Sequence, residues 1–325
     1  MRAVKPVVSL FAVAAITLGA YAPNVMASAN GALHLKSVLT GTVHQALFSI
    51  ALDGNAGVAV GAGGQLMESA DGGATWKATA ANVGELSLLG VGLNQGHAIA
   101  VGQQGQIFVR DQGKGWSKAT SGTDNRLLSV SVNANGVAVA VGAFGTVLKS
   151  SDGGQNWEKA SPEWIKIMPQ GEEPHLYVAN VDEKGVFTIA GEFGLILRST
   201  DAGATWKTLN KGDASVFAMQ VRADGVGYAV GQAGSMLRTN DNGATWKQLP
   251  KSSPAILLGV TSSADGKVYV TGMHDMLVSI DDGATWNHAV NPEITTAWYQ
   301  GITSSVSETL AVGHSGQIVR LKVTP

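Results

Sequence analysis

The residues Ser199-Thr200-Asp201-Ala202-Gly203-Ala204-Thr205-Trp206 decide the fold, because the chain repeats them. The pattern S/T-x-D-x-G-x-x-W starts again at Ser69, Ser150, Thr239 and Ser279. A weaker copy has Val109 where the hydroxyl residue should stand but keeps Asp111, Gly113 and Trp116. The tryptophans Trp76, Trp116, Trp157, Trp206, Trp246 and Trp286 are spaced 40, 41, 49, 40 and 40 residues apart. A second marker precedes each box by about 15 residues: an apolar run closing on G-x-x-G, beginning at Gly61, Gly102, Gly142, Gly191 and Gly231, and again at Gly313. One copy is altered, with Asp275 in the second glycine position after Gly272. There are thus seven glycine markers and six boxes.

Within one copy the pattern reads as four short strands, at 216–221, 226–230, 235–238 and 246–249, with Gly and Asp/Asn at the joins. Four short strands every ~40 residues imply an all-β, seven-bladed β-propeller. The last copy lacks a fourth strand, and residues 33–39 precede the first complete copy. Residues 33–39 are therefore expected to pair with 317–322 and close the ring, leaving no free sheet edge.

Each box lies at the turn between the third and fourth strands and has a structural explanation. Asp71, Asp111, Asp152, Asp201, Asp241 and Asp281 accept hydrogen bonds from turn amides, the glycine takes a positive φ, and the tryptophan packs on the neighbouring sheet. A calcium site would need about six oxygen ligands, and each box offers one carboxylate.

The chain has 325 residues, 45% hydrophobic and 14% charged, with 42 glycines, no cysteine and a net charge of −2. So little charge excludes a disordered or coiled-coil chain, and a weakly negative balance excludes a broad nucleic-acid-binding surface. Without cysteine there is no disulfide, thiolate metal site, cysteine nucleophile or lipid anchor. Residues 1–29 read as a secretory signal: Arg2 and Lys5, an apolar run over 7–20, then Ala27-Ser28-Ala29. The expected product is an exported, periplasmic propeller over 30–325.

Boxes such as Ser151-Asp152-Gly153-Gly154-Gln155-Asn156-Trp157 and Thr200-Asp201-Ala202-Gly203-Ala204-Thr205-Trp206 are Asp-box (BNR) repeats. With the glycine marker and the ~40-residue period, the chain resembles the photosystem II stability/assembly factor family. That resemblance implies a non-enzymatic propeller that holds membrane-protein subunits during assembly; in non-photosynthetic relatives it implies association with RND-type exporters. The chain departs from photosynthetic members in lacking a lipobox cysteine, and its arginines, Arg110, Arg126, Arg198, Arg222, Arg238 and Arg320, are scattered along the sequence.

Other classes leave less trace. Small positions on the inner strands, such as Ser49, Gly90, Ser129, Gly259 and Gly301, carry no acid, base or histidine. A sialidase-like glycosidase would need an arginine cluster with a Tyr/Glu pair; Tyr177, Tyr299, Glu172, Glu173 and Glu192 are its candidates. A metal or small-ligand site would draw on Met273-His274-Asp275 and His314. No cofactor is expected.

The 49-residue spacing marks an insertion over 161–174, with Trp164, Ile165, Ile167 and Met168. Insertions in repeat folds map to loops and often to the binding face. Loops between second and third strands share a face with the blade-to-blade connections. Phe144, Phe193 and Trp164 are therefore expected on one sector of that face, rimmed by Glu163, Glu172, Glu173 and Glu192. This is the expected site for a protein partner, most simply a membrane protein or membrane complex. The rival expectation is that Trp164 covers Phe144 and Phe193 as a lid.

Overall fold

The structure, a computed structural model, describes residues 32–324 except Ala80, Gln112 and Ala264; the expected leader lies outside these residues. The described residues form seven four-stranded antiparallel sheets. The inner strands of blades one to seven are Leu47–Asp53, Leu88–Asn94, Leu127–Val132, Leu176–Val181, Val216–Val221, Leu257–Ser262 and Tyr299–Ser304. Each sheet runs outward in chain order, so every blade is a meander joined to the next by one connection.

The seventh sheet is the exception. Its outer strand is Ala32–Leu39, paired antiparallel with Ile318–Thr324 in a register running from Ala32 opposite Thr324 to Leu39 opposite Ile318. The expected closure by the N-terminal strand is what the fold uses, with a pairing two residues longer at the C-terminal end than the sequence suggested.

Seven apolar clusters hold the ring, one in each wedge between neighbouring blades. In six wedges a box tryptophan joins the cluster: Trp76 between blades seven and one, Trp116 between one and two, and so on round to Trp286 between five and six. The wedge between blades six and seven has no such tryptophan. There Leu33 and Leu321, from the two paired chain ends, lie buried with Tyr269, Tyr299 and Ile294. The terminal strands therefore fill the space that a box fills elsewhere.

Near the axis the blades come close enough for backbone to touch backbone. A Cβ on Gly301 would lie 2.9 Å from the Cα of Ser49, and one on Gly259 would lie 2.7 Å from the carbonyl oxygen of Gln300. The serines at the equivalent position also bond across the wedge. Ser49 Oγ accepts the Val91 amide at 3.2 Å, and Ser129 Oγ accepts the Ala179 amide at 3.1 Å. The small inner positions are thus packing positions, as their composition implied, with inter-blade hydrogen bonds that composition did not reveal.

Closure makes a testable demand. Leu33→Ala, in the seventh wedge, should cost about 2–5 kcal/mol in denaturant unfolding. His34→Ala, on the exposed side of the same strand, should stay within about 0.5 kcal/mol.

Candidate protein-interaction face

The meander gives the ring two distinct faces. Inner-to-second-strand turns and the boxes lie on one, the box face. The glycine-marker loops and blade connections lie on the other, the connection face.

On the box face the geometry repeats. Ser69 Oγ donates to Asp71 Oδ1 at 2.9 Å and accepts the Gly73 amide at 2.9 Å; Thr75 returns its amide at 2.8 Å and its hydroxyl at 2.6 Å to the same carboxylate. Asp152, Asp201, Asp241 and Asp281 are held alike. The box glycines take positive φ, as at Gly73 (φ 88) and Gly203 (φ 83). Asp111, lacking the hydroxyl partner, instead faces His97 at 3.4 Å and Lys114 at 3.3 Å. The threonine hydroxyls and amides hold Asp71, Asp201 and Asp241 down at about 2, from an ordinary 3.8. These carboxylates are occupied by their own turns, and among the described residues no three His, Asp or Glu side chains converge as a metal site.

The box face also gathers arginines that look scattered in sequence. Asp282 accepts from Arg222 at 2.9 Å, Arg238 at 2.6 Å and the Tyr228 hydroxyl at 3.0 Å. The carboxylate bridges the two arginines, and Arg222 also donates to Asp224 and to the Ser263 carbonyl, so this cluster locks blade five to blade six.

On the connection face the insertion folds as one helical turn, Trp164–Ile167. Trp164 is only 8% exposed and Met168 is also buried, both in the wedge between blades three and four, with Ile167 half-buried beside them. The indole lies on Gly145 and donates to its carbonyl at 3.0 Å. A Cβ on Gly145 (φ 61) would meet the indole nitrogen at 2.1 Å, which explains glycine at that place in this blade. Trp164 is therefore a lid on the inter-blade core, and it leaves the phenylalanines uncovered. Phe144 is 59% exposed, Ile165 60% and Phe193 39%. Phe144 packs edge-on to His175, 5.1 Å between ring centres. Phe144, Trp164 and Ile165 line one groove of about 680 Å³ with Glu173; Phe193 stands apart on the next blade's loop.

Glu192 turns inward. Its carboxylate accepts the His175 amide at 2.8 Å. Gln103 does the same for the Ser87 amide at 2.9 Å, and Gln232 for Ser215 at 3.4 Å. An uncharged amide thus performs the same task in two other blades, so this position supports the connection loop. Tyr177 lies 3.5 Å from Glu192, and its phenol is pushed up by burial and by that carboxylate. Asp275 is taken by Ser253 at 2.5 Å and His288 at 3.0 Å. His314 instead packs on Tyr299, 5.4 Å between ring centres, and burial lowers its pKa.

One feature of this face escaped the sequence reading. Every inner strand has a register shift at its second residue, between Leu47 and Ser49 in blade one and at the matching place in the other six. A bulge breaks alternation and re-aims one side chain. The seven re-aimed residues, Phe48, Leu89, Leu128, Tyr177, Phe217, Leu258 and Gln300, all line an axial mouth of about 470 Å³. The available signal was two consecutive large apolar or aromatic residues opening six of the seven strands, as in Leu88-Leu89, Leu127-Leu128 and Leu257-Leu258.

Residues 111–214, about a third of the chain, match the family model described as photosynthesis system II assembly factor YCF48. No curated protein matches the chain. Among solved structures, YCF48 from Cyanidioschyzon merolae is 19% identical with a TM-score of 0.70, covering 88% of this chain and 98% of that one. A YCF48 bound to a D1 peptide is also 19% identical, with a TM-score of 0.69 and coverage of 89% and 96%. The virginiamycin B lyase of Staphylococcus aureus shares the fold at 11% identity, TM-score 0.73, covering 89% and 99%.

Three expectations follow. Trp164→Ala should destabilise by about 3–5 kcal/mol, with Ile165→Ala within about 0.5 kcal/mol. Glu192→Gln should leave the melting temperature unchanged. Asp71, Asp201 and Asp241 titrate lower in the folded chain than in the unfolded one, so their stabilisation is complete above about pH 5 and is lost as pH falls towards 2; Asp201→Asn should flatten the acid limb of a stability–pH curve. Residues 111–214 are thus similar to the YCF48 family model, and the chain as a whole shares the fold of the two YCF48 structures.

Proposed function

We propose that this chain is a non-enzymatic, exported β-propeller scaffold that binds a protein partner on its connection face and assists assembly of a membrane protein complex. An RND-type exporter is one such complex. The observation that carries this reading is the uncovered Phe144 and Ile165 at the 680 Å³ groove, with Phe193 exposed on the next blade's loop. Exposed apolar groups next to charged ones such as Glu163 and Lys166 form a surface suited to a protein. The relative solved with a D1 peptide supports a peptide or protein as the ligand class.

A non-enzymatic role is supported by the fates of the candidate groups. Glu192 is engaged by a backbone amide, the paired arginines by Asp282, and Asp275 by Ser253 and His288. The leader-like segment supports export to the periplasm.

The test is crosslinked co-purification from membranes of the source cells, with wild type and a Phe144→Ala/Ile165→Ala/Phe193→Ala variant of matched thermal stability. Capture of a specific membrane partner should fall about tenfold, equivalent to about 1.4 kcal/mol. Undiminished capture would remove this sector from the interface. Turnover of a glycoside abolished by Glu192→Gln would overturn the scaffold reading.

A further inference from the structure

The axial tube has two unlike ends. On the box face the inner strands end in groups that satisfy each other. Asp53 accepts the Gln95 amide at 2.6 Å, and Glu183 accepts both Asn94 at 2.9 Å and the Ala134 amide at 3.1 Å, tying blades two, three and four. On the connection face the tube opens through the bulged ring, six of whose seven members are large and apolar, the exception being the exposed Gln300. The ring is partly organised: Tyr177 packs edge-on to Phe217 at 5.0 Å, and Phe48 stacks on Trp298 at 6.1 Å between centroids. Among the described residues nine large hydrophobic side chains are exposed; seven lie on this face, and Ile280 and Val306 lie on the other.

Seven bulges at one position cost pairing in every blade and yield one concave apolar mouth. We infer that this mouth receives a short apolar segment of a partner polypeptide flanked by basic residues. The inference rests on the protein-binding reading above and names the chemistry of the ligand. The size is one ground: about 470 Å³ is at the small end of binding cavities and takes a few side chains, so a chain end or loop tip fits better than a long element. Charge is the other. The connecting segments of this face carry nine carboxylates against four cations, Arg126, Lys166, Lys211 and Lys251; setting aside Glu192 and Asp275, which their own loops engage, seven remain, Glu163, Glu172 and Glu173 among them. An acidic rim around an uncharged mouth favours lysine or arginine beside the apolar residues of the ligand, and it repels an anionic bilayer.

The experiment measures binding of a fluorescein-labelled octapeptide with a Leu-Phe-Leu-Ala centre between paired lysines to the full exported chain, by fluorescence anisotropy. Controls are the same peptide with a serine centre, the same peptide with glutamates for lysines, and phosphatidylglycerol/phosphatidylcholine vesicles. Saturable binding of the first peptide is expected, with both control peptides and the vesicles weaker. Leu258→Gln and Leu128→Gln should each weaken it about fivefold, and Gln300→Leu, which completes the ring, should tighten it about twofold. Gln300 is exposed, so its variants decide the question even if the leucine variants fold poorly. Binding that ignores all three substitutions, no saturable binding, or vesicle binding as strong as peptide binding would each overturn the inference. Loss of membrane-partner capture on substituting Phe144, Ile165 and Phe193, with no ring-dependent peptide binding, would leave the scaffold reading standing and this inference alone refuted.

Discussion

A four-stranded blade cannot bury a core alone, and everything else in this protein depends on the wedge it shares with its neighbour. Six wedges are filled by a tryptophan delivered from a box at the edge of the sheet. The box is rigid because one hydroxyl and one carboxylate absorb the amides of the turn, so the indole is presented at a fixed angle. The seventh wedge cannot use this device and is filled by leucines from the two paired chain ends. Closure of the ring and completion of its core are therefore one event. Buried apolar area of this kind is the main favourable term in folding, and here it is divided among seven interfaces rather than gathered in one centre.

The repeat made most of the fold legible. Box and glycine marker mark the third strand and its flanking turns, and the missing last strand points to closure by residues 33–39; the sheets follow this order. What stayed hidden has specific causes. The bulges were not readable from alternation, because a bulge is a breach of alternation; the small residues one place further on pack closely on the next blade. The arginines looked scattered because Arg222, Arg238 and Asp282 are 60 residues apart at the extremes and meet only across a wedge. Trp164 read equally as a partner-binding aromatic or as a lid, since its insertion breaks the period. Its burial depends on Gly145, which opens the space beneath the indole.

The two faces divide the labour. The box face is spent on rigidity: carboxylates such as Asp71 are consumed by their own turns, and Arg222 and Arg238 by Asp282. The connection face keeps apolar side chains out of the core, at Phe144, Ile165 and Phe193 and around the axial mouth. None of Phe144, Ile165 and Phe193 belongs to a wedge cluster, and exposed apolar groups of this kind mark interaction surfaces. A rigid ring with one apolar, acid-rimmed face is suited to holding a partner segment.

The central claim, that partners are met on the connection face, is tested most directly by photocrosslinking in the source cells. A photoreactive phenylalanine analogue placed at Phe144 or Gln300 is compared with one at Val306 or Ile280, which are exposed apolar positions on the box face. The account predicts a discrete crosslinked polypeptide from the first pair and none from the second. Equal yields from both faces, or a product from Val306 and Ile280 alone, would contradict it.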